Sequence, residues 1–269
     1  MSIPAPGYPL AAAVTPRLHV IETVDSTNAK LVRDATDDPD GHPHLSVVFT
    51  RDQRAGRGRL DRSWTTPPGT AMAVSVLLDV AAVAHEDRGW IPLVAGAAMR
   101  RAVAAQLVGL EVALKWPNDV LVSDLKICGI LAEVLPGDPH RVVVGAGVNT
   151  LMASVDLPVP TATSFAALGR EADEDRLLAD YLEALRDGIA ALAVGGPAEV
   201  REDIEKECST IGSEVTVTLP DGRNGGTATT LEGIAVRLDA EGRLVIDTQG
   251  IETVVSAGDV VHVRTGGRR

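Results

Sequence analysis

Cysteine is scarce: Cys128 and Cys208 are the only two in 269 residues, and they supply neither a disulfide framework nor the spacing of a zinc site. Two thiols of this kind fit a reducing, cytoplasmic setting and read as small buried apolar residues. Positive charge is also in deficit. The chain has 25 Lys and Arg against 37 Asp and Glu, a net charge of -12, whereas duplex binding needs a broad basic face. The acidic balance therefore argues against general nucleic-acid binding. No apolar run approaches the roughly 18 residues of a membrane span, and residues 1–16 lack the basic start and apolar core of a signal peptide. That segment is expected to be a flexible arm. The Walker phosphate-loop pattern is absent, and Gly145-Ala146-Gly147 has neither the third glycine nor the following helix of a dinucleotide fingerprint. His42 and His44 flank Pro43, a poor geometry for a chelate, so no metal site is expected there.

Against this acidic background one stretch stands out. Arg51 to Trp64 (RDQRAGRGRLDRSW) carries five arginines against Asp52 and Asp61. Glycines at 56 and 58 are expected to open positive φ and let the backbone close over a ligand, while the guanidinium groups supply forked, permanently charged donors suited to phosphate or carboxylate. The same composition also describes a solvated basic loop or an RNA-binding tail. Its flanks argue against a tail, because Leu45–Thr50 and Ala71–Leu78 both read as buried strands and would pin the segment at each end.

The remaining pattern predicts an α+β chain with a mixed sheet. Arg17–Val24 reads as a strand, followed by Asp25-Ser26-Thr27-Asn28 as candidate helix caps before Ala29–Ala35. Helical patterns cover Ile91–Val108, Glu171–Leu192 and Pro197–Cys208, and Arg141–Asn149 reads as a central strand. Between Val120-Leu121-Val122 and Ile127–Leu131, Ser123-Asp124 predicts a two-residue hairpin turn. Regular pairing across it would place Asp119, Leu121, Lys126 and Cys128 on one face, setting a carboxylate beside an ammonium among apolar neighbours. The alternative is an ordinary surface ion pair. From Gly212 onward short alternating strands, broken at Pro220-Asp221-Gly222, Ala240-Glu241-Gly242 and Gly250, predict a small barrel with Val215, Val217, Ile234, Val236, Leu244, Ile246, Val254, Val260 and Val263 inside.

Four segments together carry a family resemblance: Gly56-Arg57-Gly58-Arg59 with Arg62 and Trp64; Lys115-Trp116-Pro117-Asn118-Asp119; Lys126 with Gly129-Ile130-Leu131 and Glu133; and Gly145-Ala146-Gly147-Val148-Asn149. Their order and spacing resemble the biotin protein ligases over about residues 20–263, with Asp61 standing where many members carry glycine. The resemblance implies a class II synthetase-like catalytic domain over 17–209 and an SH3-like barrel over 210–269. It implies formation of biotinyl-5'-adenylate from biotin, ATP and Mg²⁺, then transfer of biotin to a lysine of the biotin carboxyl carrier domain of an acyl-CoA carboxylase.

By the same resemblance Ser26, Thr27, Asn28, Gln53, Gly56, Arg57, Lys126 and Gly129 would contact biotin. Arg57, Arg59, Arg62, Trp64, Lys115, Asn118, Lys126 and Asn149 would contact ATP or the adenylate, with Arg59, Lys126 and Asp119 catalytic and Asp119 also the candidate Mg²⁺ ligand. The short arm before the first core strand points to the enzyme-only type, without a DNA reader. A biotin-responsive sensor and a lipoate or octanoate ligase are the alternatives; polar Ser26, Thr27 and Gln53 favour a ureido ring over a bare acyl chain. Two glycines and repelling arginines predict a segment that orders on its ligand. Protease cleavage within residues 53–64 is expected to slow when biotin and ATP are added together, and equal cleavage with and without them would refute this.

Overall fold

The apolar runs read as strands become the middle of one mixed sheet. The computed structural model describes residues 7–60, 62–219, 229–256 and 259–262; Asp61, the turn at 220–222 and Val263 lie outside them. In chain order the elements are α1 (Pro9–Val14), β1 (Leu18–Ile21), α2 (Thr27–Asp37), β2 (Val47–Thr50), β3 (Gly56–Arg57), β4 (Ser63–Trp64), β5 (Ala71–Asp79) and α3 (Ile91–Gln106). Then come β6 (Val112–Lys115), β7 (Asp119–Val122), β8 (Leu125–Leu135), β9 (Asp138–Asn149), α4 (Glu174–Gly195) and α5 (Arg201–Glu207). The last five strands are β10 (Glu214–Leu219), β11 (Thr229–Leu238), β12 (Leu244–Thr248), β13 (Ile251–Val255) and β14 (Asp259–His262).

Seven strands form the main sheet in the order β1-β2-β5-β9-β8-β7-β6. Only β1 and β2 run parallel; the other neighbours are antiparallel. α3 and α4 cover one face together with Met72, Val74, Val76 and Val144, while α2 covers the other with Leu31 and Ala35 against Val48, Leu77 and Val143. Helices on both faces explain why β5 is a continuous apolar run rather than an alternating one. Among the described residues no helix is long and apolar enough to cross a membrane.

The flexible arm expected at the N-terminus is, over its described part, a docked element. Tyr8 and Ala11 are buried, and the backbone N–H groups of Leu10 and Ala11 donate to the Asp175 carboxylate at 3.0 Å each. The Tyr8 ring packs on Phe49 with centroids 4.5 Å apart. Proline at the start of α1 and a carboxylate across from its free N–H groups stabilise a helix too short to stand alone.

The hairpin turn is as expected: Ser123 and Asp124 both have positive φ, 48° and 64°, the two-residue geometry that matches strand twist. Val122 faces Leu125 and Leu121 faces Lys126, but one extra residue then enters β8, so Val120 pairs with Cys128 and Asp119 with Gly129. The bulge corrects the regular register. Cys128 joins Val120 in the core beneath the helices instead of sharing the Asp119 face, and Gly129 takes its place. Burial pushes the Cys128 thiol far above its ordinary pKa, so it stays a neutral packing residue.

The small unit after residue 210 is a five-stranded antiparallel sheet ordered β13-β12-β11-β10-β14. Val215, Val217, Leu244, Ile246 and Val260 are buried as expected, and Val236 is half-buried. Ile234 and Val254 are not: they are 51% and 48% exposed, while Ala235, Leu238 and Val255 are buried. Ile234 faces Asp247, whereas Ala235 faces the buried Ile246, so the register of β11 sends the larger side chain outward. Two indole N–H groups join this unit to the rest of the chain, Trp90 Nε1 just before α3 donating to Ala240 O at 2.8 Å and Trp116 Nε1 between β6 and β7 to Gly242 O at 3.0 Å. Ala235→Asp is expected to cost at least about 3 kcal/mol in a urea unfolding series, while Ile234→Thr stays within roughly 0.5 kcal/mol. A larger loss from Ile234→Thr would contradict this register.

Candidate functional site

The site starts where β1 gives way to α2. Ser26 caps that helix, its Oγ accepting from Ala29 N at 3.4 Å, which leaves the next two side chains to face the sheet. Thr27 donates through both its backbone N and Oγ1 to Gln53 Oε1, at 2.8 and 3.1 Å. Asn28 Nδ2 donates to Glu133 Oε2 at 2.8 Å. Beneath them Ser75 Oγ lies 2.8 Å from Thr27 Oγ1 and 2.5 Å from Asn28 Oδ1, with one proton to share between two acceptors. Apart from the half-buried Glu133 these groups are buried, and together they make a row of donors and acceptors set in an apolar wall.

The arginine segment folds back over this row. β3 and β4 pair as a minimal hairpin, Gly56 with Trp64 and Arg57 with Ser63. Neither glycine supplies the positive φ expected of it; Leu60 does, at 55°. Gly56 is required for space, since a Cβ there would sit 2.3 Å from Trp64 O and 2.4 Å from Gln53 Nε2. Arg57 pairs with Glu133 at 2.9 Å. Arg59 donates to Asn118 Oδ1 at 3.2 Å, and Asn118 Nδ2 donates to Ile130 O at 2.6 Å. Burial lowers the Arg59 pKa from its ordinary value; Asp119 opposes that shift and Arg62 adds to it.

Across the cavity the bulged hairpin holds Lys126 Nζ 2.6 Å from Asp119 Oδ1. Burial also lowers the Lys115 pKa, again opposed by Asp119, with Lys126 adding a further lowering. The enclosed space is about 400 Å³. It is lined by Ser26, Thr27, Asn28 and Gln53 on one side and by Arg57, Arg59, Arg62 and Trp64 on another. Lys115, Asn118, Asp119, Lys126 and Gly129 line the rest, with Val260 and Val261 of β14 at the edge. Among the described residues, five cationic side chains thus meet one lining carboxylate, Asp119. A desolvated cavity of this sign attracts a compact polyanion.

Gly56 and Asn149 fall outside that lining. Asn149 belongs to an adjoining space of about 330 Å³, which shares Trp64, Lys126, Gly129 and Gly147 with the first, and its Nδ2 donates to Thr163 O at 2.9 Å. Gly145 and Gly147 form a dent in β9. A Cβ at 145 would lie 2.3 Å from Asn28 Oδ1, and one at 147 would lie 2.6 Å from the Trp64 ring. Their spacing in the sequence fits a central strand and gives them no separate role, and neither Ser75 nor Glu133 is assigned a contact by its local pattern. The signal for Ser75 was present: it is the one hydroxyl in the run AMAVSVLL, and a buried strand does not carry a polar group without a partner.

Residues 20–149 match the biotin/lipoate A/B protein ligase family model. Over 92% of this chain and 90% of its own length, the biotin–acetyl-CoA-carboxylase ligase of Mycobacterium tuberculosis is 38% identical. The chain belongs to the biotin protein ligases. The bifunctional ligase/repressor BirA of Escherichia coli is 28% identical over 90% of this chain and 72% of its own length. The biotin protein ligase of Aquifex aeolicus, solved in complex with biotin and ATP, superposes with a TM-score of 0.74 over 91% of this chain and 98% of that one, at 24% identity. That likeness establishes the ligase fold, including the mixed sheet and the small antiparallel unit after it. In this biotin protein ligase Gly147→Ala is expected to displace Trp64 and raise the KM for ATP about tenfold, with the folded fraction unchanged by circular dichroism. An unaltered KM would remove Trp64 from the nucleotide site.

Proposed function

We propose that this biotin protein ligase joins biotin to ATP as biotinyl-5'-adenylate and then passes the biotin to one lysine of the biotin carboxyl carrier domain of a carboxylase. The observation that carries the reading is the cavity itself: five cations beside a buried row of amide and hydroxyl groups. The row of Ser26, Thr27, Asn28 and Gln53 suits a ureido ring, which needs donors and acceptors within an apolar pocket. A bare acyl chain would leave those groups unpaired, which disfavours lipoate and octanoate. Names support the same reading: the Mycobacterium tuberculosis relative is a ligase for acetyl-CoA carboxylase, and the Aquifex aeolicus structure holds biotin and ATP.

In the first step a carboxylate oxygen attacks the α-phosphorus and pyrophosphate leaves. Arg57, Arg59, Arg62 and Lys126 oppose the repulsion between carboxylate and polyphosphate, and Lys115 stands where it can hold a phosphate oxygen. Trp64, Asn118 and Asn149 bind the nucleotide part. In the second step a neutral lysine amine attacks the acyl carbonyl, AMP leaves and the amine loses its proton, with Asp119 orienting the amine. Among the described residues no group of three or more His, Cys, Asp or Glu could hold a metal. Mg²⁺ does not need one, because it takes one or two carboxylates together with substrate phosphates and water, and Asp119 fits that modest role. In this reading 17–209 is the catalytic domain and 210–269 the supporting SH3-like one, working in a reducing cytoplasm where the buried thiols of Cys128 and Cys208 stay free.

Pyrophosphate release from ATP and Mg²⁺, measured with biotin, lipoate, octanoate or no acid, is expected to require biotin. Lys126→Ala should slow that release by on the order of 10²–10³ without changing the urea midpoint appreciably. Release that depends on lipoate or octanoate, or full activity of the Lys126 variant, would overturn the assignment.

A further inference from the structure

Arg51 opens the arginine segment yet does not line the cavity, and it is held more tightly than the arginines that do. Its backbone O accepts from Gly69 N at 2.7 Å, and its side chain donates to Gly69 O at 2.9 Å. Those two bonds close the neck of the loop that carries Arg57, Arg59, Arg62 and Trp64. Arg51 Nε also lies 3.3 Å from Glu174 Oε2, with the two side chains 18% and 11% exposed. Glu174 is the first residue of α4 and takes no part in the cavity. Its Oε1 accepts from Thr150 Oγ1 at 2.9 Å, and Tyr8 OH donates to the same Oε2 that faces Arg51, at 3.2 Å.

Thr150 follows Asn149 directly, and residue 70 completes the connection: Thr70 O accepts from Thr150 N at 3.2 Å and from Leu151 N at 2.8 Å. One carboxylate therefore meets the neck of the loop, the exit of β9 and the docked arm at a single point. A charge this enclosed is retained only where it is partnered, and here the partners, Arg51, Thr150 and Tyr8, come from three separate parts of the chain.

We infer that Glu174 and Arg51 are positioning residues that set the arginine loop over the cavity and keep its cations in register with Asn149. The inference rests on the ligase reading only for the meaning of that register; the clamp itself is independent of which acid is bound. Neither residue touches substrate. Their effect is to limit the ways in which a loop with four arginines and two glycines can open.

The test compares Glu174→Gln and Arg51→Met with the parent chain by two readouts. The first is trypsin cleavage without ligands, scored at Arg54–Arg62 and at Arg186 in the middle of α4. Cleavage in the loop is expected to rise about tenfold while cleavage at Arg186 is unchanged, less than the full effect of breaking a buried pair because both side chains keep some solvent. The second is biotin-dependent pyrophosphate release, in which KM for biotin and ATP should rise with kcat within about twofold. Arg176→Met, which breaks the pair with Asp180 one turn along α4, is the control and should alter neither readout. Equal acceleration of cleavage at Arg186 would make the pair a global stabiliser, and unchanged loop cleavage would abolish the clamp; either result overturns the inference. If Glu174→Gln does not fold, Arg51→Met decides alone, since it leaves α4 intact. Absence of pyrophosphate release from the parent chain would count against the ligase reading, while the cleavage ratio would still decide the clamp.

Discussion

Mutual repulsion among five cations in one cavity is the constraint that shapes the rest of this protein. Left to themselves, Arg57, Arg59, Arg62, Lys115 and Lys126 would drive the walls apart, and desolvation makes each charge more expensive. The fold answers with local neutral or negative partners. Glu133 stands against Arg57, the Asn118 amide against Arg59 and Asp119 against Lys126. Each of these contacts is at the cavity wall and leaves other donor N–H groups available, so an incoming polyanion adds to the array rather than dismantling it. Burial lowers the pKa values of Arg59 and Lys115, the direction that removing a cation from water dictates.

The sheet is arranged around that need. β5 and β9 lie at its centre, buried on both faces, and so provide a rigid floor for a loop that must close over a ligand. Two glycines remove side chains from the floor where Asn28 and Trp64 press down on it. The turn at Ser123-Asp124 sets Lys126 opposite Leu121, and the bulge that follows in β8 returns Cys128 to the core, so one extra residue lets a charged wall and an apolar interior share a strand. The small unit closes the far side through β14 and is held by the two indole N–H groups at its tight turn.

Specificity and charge are handled by different parts of the same cavity. The row from Ser26 to Gln53 is neutral, geometrically rigid and linked through Ser75, which suits discrimination by hydrogen-bond pattern. The arginines are long, forked and carried on a hinge-like segment, which suits the capture of a charge distribution that changes as pyrophosphate leaves. Glu133 joins the two systems, accepting from Asn28 on one side and pairing with Arg57 on the other.

Much of this was legible in the residues alone. The arginine loop, the Lys-Trp-Pro-Asn-Asp segment, the hairpin at Ser123-Asp124 and the central strands follow from composition, turn chemistry and periodicity, which act within about ten residues. Their order along the chain was enough to determine the family. Tertiary structure decided what depends on distant partners. Ser75 and Glu133 became site residues only when α2 was laid across the sheet, and α1 became a docked helix only because Asp175 and Glu174 reach it from α4. Cys128 and Ile234 left the faces that simple alternation assigns them because a bulge in β8 and the register of β11 reset the pairing. The physical reason is common to all of them: charge and turn propensity are properties of a short segment, whereas register, burial and the partner of a polar group are settled by whichever strand or helix the fold brings alongside.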